Sequence, residues 1–148
     1  MNTWIYLVLL AVVGLNAASA AEAEKTTFYV QLIRGNNDEK PPVADAKRIG
    51  PKLSKQLQPV FAWKSYWQVN RLEVPLASGQ KTKVQLSKER EVEIDLTHPD
   101  KRTVIIYAQG KEVSRITRPV GEAMSIGGGD RDGKSGWFIV VRRDKPSD

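Results

Sequence analysis

The chain contains no cysteine and a single histidine, His98. The first absence excludes a disulfide framework, a thiolate nucleophile and a thiolate-held metal, and also a lipid anchor on an N-terminal cysteine. With so little histidine, a zinc site would need an unusual set of carboxylates. A serine–histidine–acid relay would have to use His98 as its base, and no G-x-S-x-G turn accompanies it. His98 stands before Pro99 at the tip of an expected hairpin and reads as a solvated turn residue. No metal and no cofactor is expected. Beyond residues 5–13, no apolar run approaches the roughly 20 residues that a membrane-spanning helix needs.

That first run is itself informative. An unbroken apolar stretch from Ile5 to Val13 leads through small residues to Ala18-Ser19-Ala20 and then Ala21-Glu22. This is the layout of a secretory signal peptide with an A-x-A exit, and cleavage between Ala20 and Ala21 is expected. The stretch before the run lacks Lys and Arg, so an uncleaved signal anchor is the alternative. Residues 1–20 are thus read as a leader and 21–148 as a single β domain, long enough for a real hydrophobic core. Exported without disulfides, that domain must be held by its core. A periplasmic or secreted location in a bacterium fits better than a eukaryotic exterior.

The net charge is +6, from 23 basic and 17 acidic residues. All of the excess lies between Lys40 and Arg71, where Lys40, Lys47, Arg48, Lys52, Lys55, Lys64 and Arg71 face the single acid Asp45. The same segment carries Phe61, Trp63, Tyr66 and Trp67. Cations interleaved with aromatics suit an anionic partner. Arg48, Lys52, Lys55 and Lys64 are the candidate binding residues, acting as point charges. The plainer reading is a solvated helix beside a core strand. Nothing in the segment signals specific nucleic-acid recognition.

Most of the domain reads as strands. Thr26–Arg34 is rich in β-branched and aromatic residues. Gly50-Pro51 opens the one helix candidate, with Leu53 and Leu57 on one face and Pro59 closing it. From Phe61 the apolar period becomes two. Phe61, Trp63, Trp67 and Val69 fall on odd positions and Leu72, Val74 and Leu76 on even ones, which predicts a bulge or bend near Asn70–Arg71. Val84 and Leu86, then Val92, Ile94 and Leu96, define inward faces. Short loops at Lys88-Glu89-Arg90, at Pro99-Asp100-Lys101 and at Gln109-Gly110 predict an antiparallel meander. It sets Leu86 against Val92, Val84 against Ile94, Lys83 against Asp95, Leu96 against Val104, Ile94 against Ile106 and Ile106 against Val113.

Val104–Ala108 and Trp137–Val141 are apolar on both faces and so are expected to be covered on both sides. Gly127–Gly136 is expected to be a long hairpin loop, and the polar stretch from Arg142 is expected to fray. About eight short strands with one short helix predict a mostly β fold, an antiparallel β-sandwich or open barrel.

Two motifs invite chemistry and are weak. Asp130 and Asp132 resemble the first ligands of a calcium loop, but Lys134 stands where the next oxygen ligand belongs and no Glu closes the loop. Trp63, Trp67 and Trp137 could form a sugar-stacking platform, although core filling explains them as well, with Trp63 and Trp67 on one face.

The run Phe28-Tyr29-Val30-Gln31-Leu32, the Lys52-Leu53 helix, Tyr66-Trp67, Leu86, Val104-Ile105-Ile106 with Gly110, Ile126-Gly127-Gly128-Gly129 and Trp137-Phe138-Ile139-Val140 together resemble small exported bacterial β-domain proteins. The Arg118-Pro119-Val120 to Ile126-Gly127-Gly128 stretch is similar to one hairpin of secretins, although the chain is too short to be one. These resemblances imply an envelope setting and no catalytic residue. The expected function is a non-enzymatic binding or structural module of the bacterial cell envelope. It would dock an anionic envelope polymer or an envelope protein complex through the basic segment. The alternative is a hydrolytic, carbohydrate-active enzyme whose carboxylate pair assembles only in space.

Overall fold

The computed structural model describes residues 23–61, 63–129 and 132–147. The leader, its Ala20–Ala21 exit and Asp130 of the glycine-rich stretch lie outside them.

The described residues form nine strands and one helix. They run β1 (Lys25–Asn36), β2 (Lys47–Arg48), α1 (Pro51–Leu57), β3 (Ser65–Ala77), β4 (Lys81–Gln85), β5 (Arg90–Asp95), β6 (Lys101–Ala108), β7 (Lys111–Pro119), β8 (Met124–Gly129) and β9 (Ser135–Arg142). One sheet has the order β2-β3-β1-β9-β8 and the other β4-β5-β6-β7. Every pairing is antiparallel. The two sheets form a sandwich, not a closed barrel. Among the described residues no helix is long and apolar enough to cross a membrane.

Strand alternation builds the main core. Phe28, Val30 and Leu32 of β1, Val74 and Leu76 of β3 and Ile139 and Val141 of β9 face Val92 and Ile94 of β5 and Val104 and Ile106 of β6. A smaller cluster lies on the other face of the five-stranded sheet. There Leu53 and Leu57 of α1 pack on Ile33, Tyr66, Phe138 and Val140. The helix begins as its sequence suggests, with extended Gly50 before Pro51. At two turns it owes its stability to this packing.

The expected bulge is present. The register of β1 and β3 shifts between Leu32 and Ile33, whose partners are Asn70 and Gln68, leaving Val69 as the extra residue. It carries the change of face along β3.

The meander is antiparallel and its inward faces are as expected, but its registers are not. Val84 pairs with Val92 and Thr82 with Ile94, so Lys83 faces Glu93 and Lys81 faces Asp95. The Ser87 hydroxyl accepts the N–H groups of Glu89 and Arg90 and tightens the first loop around Lys88. Ile94 pairs with Val104 and Val92 with Ile106. Asp100 adopts a positive φ of 66°, which shortens the second turn. Both slips are of two residues and therefore keep every side chain on its face. The third hairpin has positive φ at Gln109 and Gly110, and Ala108 pairs with Lys111. A shift beyond Tyr107 then sets Ile106 against Ser114, and Val113 is extruded and 55% exposed.

Other expectations need correction. β3 starts at Ser65, so Phe61 and Trp63 precede the strand. Trp63 joins the helix-side cluster, while Trp67 buries its ring elsewhere and donates its indole N–H to Asn36 Oδ1 at 3.3 Å. The two do not line one face, because the chain bends between them. Gly127–Gly129 belong to β8, not to a loop. A Cβ at Gly127 would overlap Phe138 Cδ1, and one at Gly128 would stand 3.2 Å from Trp137. The glycines let these rings lie across the edge strand. Arg142 ends β9 buried, and the residues after it fold back instead of fraying: Pro146 is buried.

As expected, Val104–Ala108 and Trp137–Val141 bury residues of both parities. Ile105, on the outer face of the four-stranded sheet, is 2% exposed. The covering of that face comes from long cross-strand side chains, with Lys83 Nζ lying 3.5 Å from the Tyr107 ring centroid.

Candidate functional site

The basic segment becomes a strand, a helix and a loop around one corner of the five-stranded sheet. Lys47 and Arg48 add β2 to β3, opposite Gln68 and Trp67. The Arg48 guanidinium lies 4.8 Å from the Trp67 ring centroid, a cation–π contact that fixes it against the strand. Burial of Leu53 and Leu57 turns Lys52 and Lys55 outward. Lys64 is exposed in the loop before β3, its backbone N–H bound to Asn37 Oδ1 at 3.2 Å.

Of the four candidates, the fold brings Arg48 and Lys52 together. They line one small cavity with Lys47, Gln31, Gln68 and Arg142. Lys55 and Lys64 do not line it. Arg142 is the member that the sequence argument missed. It lies far outside the basic segment and arrives through the pairing of β9 with β1, where it stands opposite Tyr29. Its arginine identity alone gave no signal.

The cavity is enclosed and holds about 10 Å³, room for one water. Gln31 is 2% exposed and Arg142 6%. Gln31 Nε2 donates to Gln68 Oε1 at 2.7 Å, which leaves Gln31 Oε1 without a partner. Arg142 Nε is likewise unpartnered. A buried donor and a buried acceptor thus line one void rimmed by cations.

Residues 143–147 cross this corner as a strap. Asp144 Oδ2 lies 3.3 Å from Lys52 Nζ and 3.5 Å from Arg142 Nη1. Pro146 and Ser147 line the cavity, and the Ser147 carbonyl leaves no space for a Cβ at Gly50. On the far side of Asp144 an open cleft of about 570 Å³ runs along Thr27 and Tyr29.

A neighbouring cleft of about 450 Å³ is lined by Glu24, His98, Asp100 and Arg143, among others. Glu24 and Asp100 are exposed. His98 is exposed at the hairpin tip, its Nδ1 2.5 Å from Pro99 O. Beside this end of the sandwich sits fully buried Arg102, whose Nη1 reaches Val120 O at 3.4 Å and whose Nη2 binds Glu122 O. Its guanidinium lies 5.3 Å from the Phe28 ring centroid. Burial pushes its pKa below the ordinary arginine value, Arg143 adds to that and Glu122 opposes it. Arg102 clamps the β7–β8 connection.

The three tryptophans do not form a platform. Trp137 packs in the inter-sheet core with Arg90 4.2 Å from its centroid, while Trp63 and Trp67 lie apart as described. Asp132 turns its carboxylate to the Lys134 N–H at 2.9 Å. Among the described residues no group of three or more His, Cys, Asp or Glu is placed to hold a metal.

Comparison with protein-family models, with curated proteins and with solved structures gives no match.

Proposed function

We propose that the protein is a non-enzymatic binding module of the bacterial cell envelope that docks an anionic polymer on its basic corner. The observation that carries this reading is the convergence of Lys47, Arg48, Lys52 and Arg142 from two strands and a helix onto one cavity. Asp144 is the carboxylate that bridges two of them, Lys52 and Arg142. Lys55 and Lys64 extend the positive surface over the helix and the next loop. Cations spread in this way suit a chain-like polyanion better than one small anion. Such binding is salt-dependent, because exposed charges are screened beyond about 8 Å at physiological ionic strength.

The test is a titration of polygalacturonate and dextran sulfate into the wild type and the Lys52→Glu/Lys55→Glu variant. Both lysines are exposed, so the variant is expected to keep its thermal melt and lose binding. Equal binding by the two proteins would mean that the basic corner is only a solvated face.

A second reading, a carbohydrate-active hydrolase, is supported by one observation. Glu24 and Asp100 line the same open cleft with His98. Both acids are exposed at the rim of this cleft, whose apolar wall is formed by Leu96 and Val120. Polysaccharide hydrolysis that disappears in Glu24→Gln or Asp100→Asn would establish it in place of the docking role.

A further inference from the structure

The strap covers groups that its own chemistry does not satisfy. Asp144 neutralises part of Lys52 and Arg142. Beneath it, the donor Arg142 Nε and the acceptor Gln31 Oε1 have no partner, although both belong to residues more than nine-tenths buried. A buried polar atom left unsatisfied is costly, of the order of 1–3 kcal/mol. The void they line has room for one water, able to accept from Arg142 Nε and donate to Gln31 Oε1, and a ligand hydroxyl can take over that place. The donor and the acceptor also differ in kind. Arg142 and Lys52 suit a carboxylate, whereas Gln31 Oε1 can only accept, so the group it meets must carry a hydroxyl or an N–H. On the open side, Tyr29 and Thr27 line the larger cleft that ends at Asp144. Tyr29 stands opposite Arg142 in the β1–β9 ladder.

We infer that the corner is a subsite for an acidic sugar of the uronate type, and that Asp144 occupies the place of the sugar's carboxylate until the ligand displaces the strap. This rests on the docking function proposed above and names its ligand. With the strap moved, the cleft along Thr27 and Tyr29 runs on to Arg142 and Lys47. The uronate carboxylate meets Arg142 and Lys52. A neighbouring hydroxyl donates to Gln31 Oε1, and Tyr29 offers a flat side for the ring. The Lys52 half of the strap's hold is weak, since the Asp144 and Lys52 side chains are 50% and 68% exposed and exposed ion pairs contribute little; the contact with buried Arg142 is the one that a ligand carboxylate must replace.

A sulfated polymer offers charge without a carboxylate, and an acidic polypeptide offers carboxylates without hydroxyls. The probes are therefore polygalacturonate, dextran sulfate and polyglutamate, titrated against the full chain in wild-type, Asp144→Asn and Gln31→Leu forms. The expected order of affinity is polygalacturonate above both others. Asp144→Asn is expected to tighten polygalacturonate binding at least about twofold, because it removes the carboxylate that competes for both Lys52 and Arg142. Gln31→Leu is expected to erase the preference for polygalacturonate over polyglutamate, with its thermal melt recorded alongside. Because Gln31 is buried, backbone amide shifts of the wild type supply a second readout. The amide resonances of Lys145 and Ser147 should move when polygalacturonate is saturating.

Equal affinity for all three polymers, lost in Lys52→Glu/Lys55→Glu, would overturn the uronate subsite and leave the docking function standing. Tighter binding of polyglutamate would overturn it in favour of an acidic peptide. Unmoved amide resonances of Lys145 and Ser147 with ligand bound would overturn the displacement. Failure of every polymer to bind would remove the docking function itself.

Discussion

Replacing Gly127 with alanine places a methyl group against the ring of Phe138, where the structure leaves no space for one. The ring has nowhere to retreat. Phe138 is fully buried, with the Phe61 centroid 4.2 Å away and the Tyr66 centroid 6.0 Å away. Overpacking of this kind costs about 1–3 kcal/mol. Alanine also lowers the entropy of the unfolded chain, which returns about 0.4–1 kcal/mol. The net loss is about 1–2 kcal/mol, which for a domain of this size lowers the melting temperature by roughly 4–8 °C. Gly121 is the control, since a Cβ there meets nothing within 4 Å. Gly121→Ala is expected to leave the melt unchanged or slightly raised. Thermal unfolding followed by circular dichroism measures both. Phe138→Leu should relieve the clash, so the Gly127→Ala/Phe138→Leu double variant should lose less than the sum of the singles. A Gly127→Ala melt within a degree of wild type would refute the argument that β8 is glycine-rich to admit the Phe138 ring.

Three further outcomes are expected. Ile94→Asp buries an unpaired carboxylate in the centre of the sandwich and should cost several kcal/mol, about 3 or more, in chemical denaturation; a loss under about 1 kcal/mol would mean that the position is not core. Arg102→Met keeps most of the length of the side chain while removing the guanidinium, and should cost less than Arg102→Ala, which empties a fully buried site and should lose about 2–4 kcal/mol; equal losses would show that the hydrogen bonds to Val120 and Glu122, not the packing, dominate. The Thr97 hydroxyl and N–H hold the Asp95 carboxyl below its ordinary pKa of 3.8, so their contribution is complete above pH 3.8 and is lost as pH falls through the depressed value; Thr97→Ala removes the hydroxyl and should lower stability above pH 3.8 but not below the depressed value, so its acid limb should be shallower, and an equal loss at both ends would contradict this.

The layering of the fold was legible in the sequence because parity is local. Val92, Ile94 and Leu96 alternate with acids, and the switch from Trp67 and Val69 to Leu72 and Val74 announced the bulge opposite Leu32. Register was not legible, since a two-residue slip satisfies the same alternation and the choice falls to Ser87 and Asp100 in the turns. The strand at Gly127–Gly129 was hidden for another reason. Its glycines answer to Phe138 and Trp137, which reach them only after the chain has folded back. The site divides in the same way. Arg48 and Lys52 stood out through their local excess of charge. Arg142 and Asp144 did not, because Asp144 reaches Lys52 from 92 positions away through the β1–β9 pairing.

The central claim is that the corner formed by Lys47, Arg48, Lys52 and Arg142 receives an anionic polymer. Its most direct test is a map of amide shift changes in the isotopically labelled protein as polygalacturonate is added at low salt. The account predicts the largest changes at Lys47, Arg48, Lys52 and Asp144, fading as salt is raised. Changes centred on the four-stranded sheet, or none at all, would contradict it.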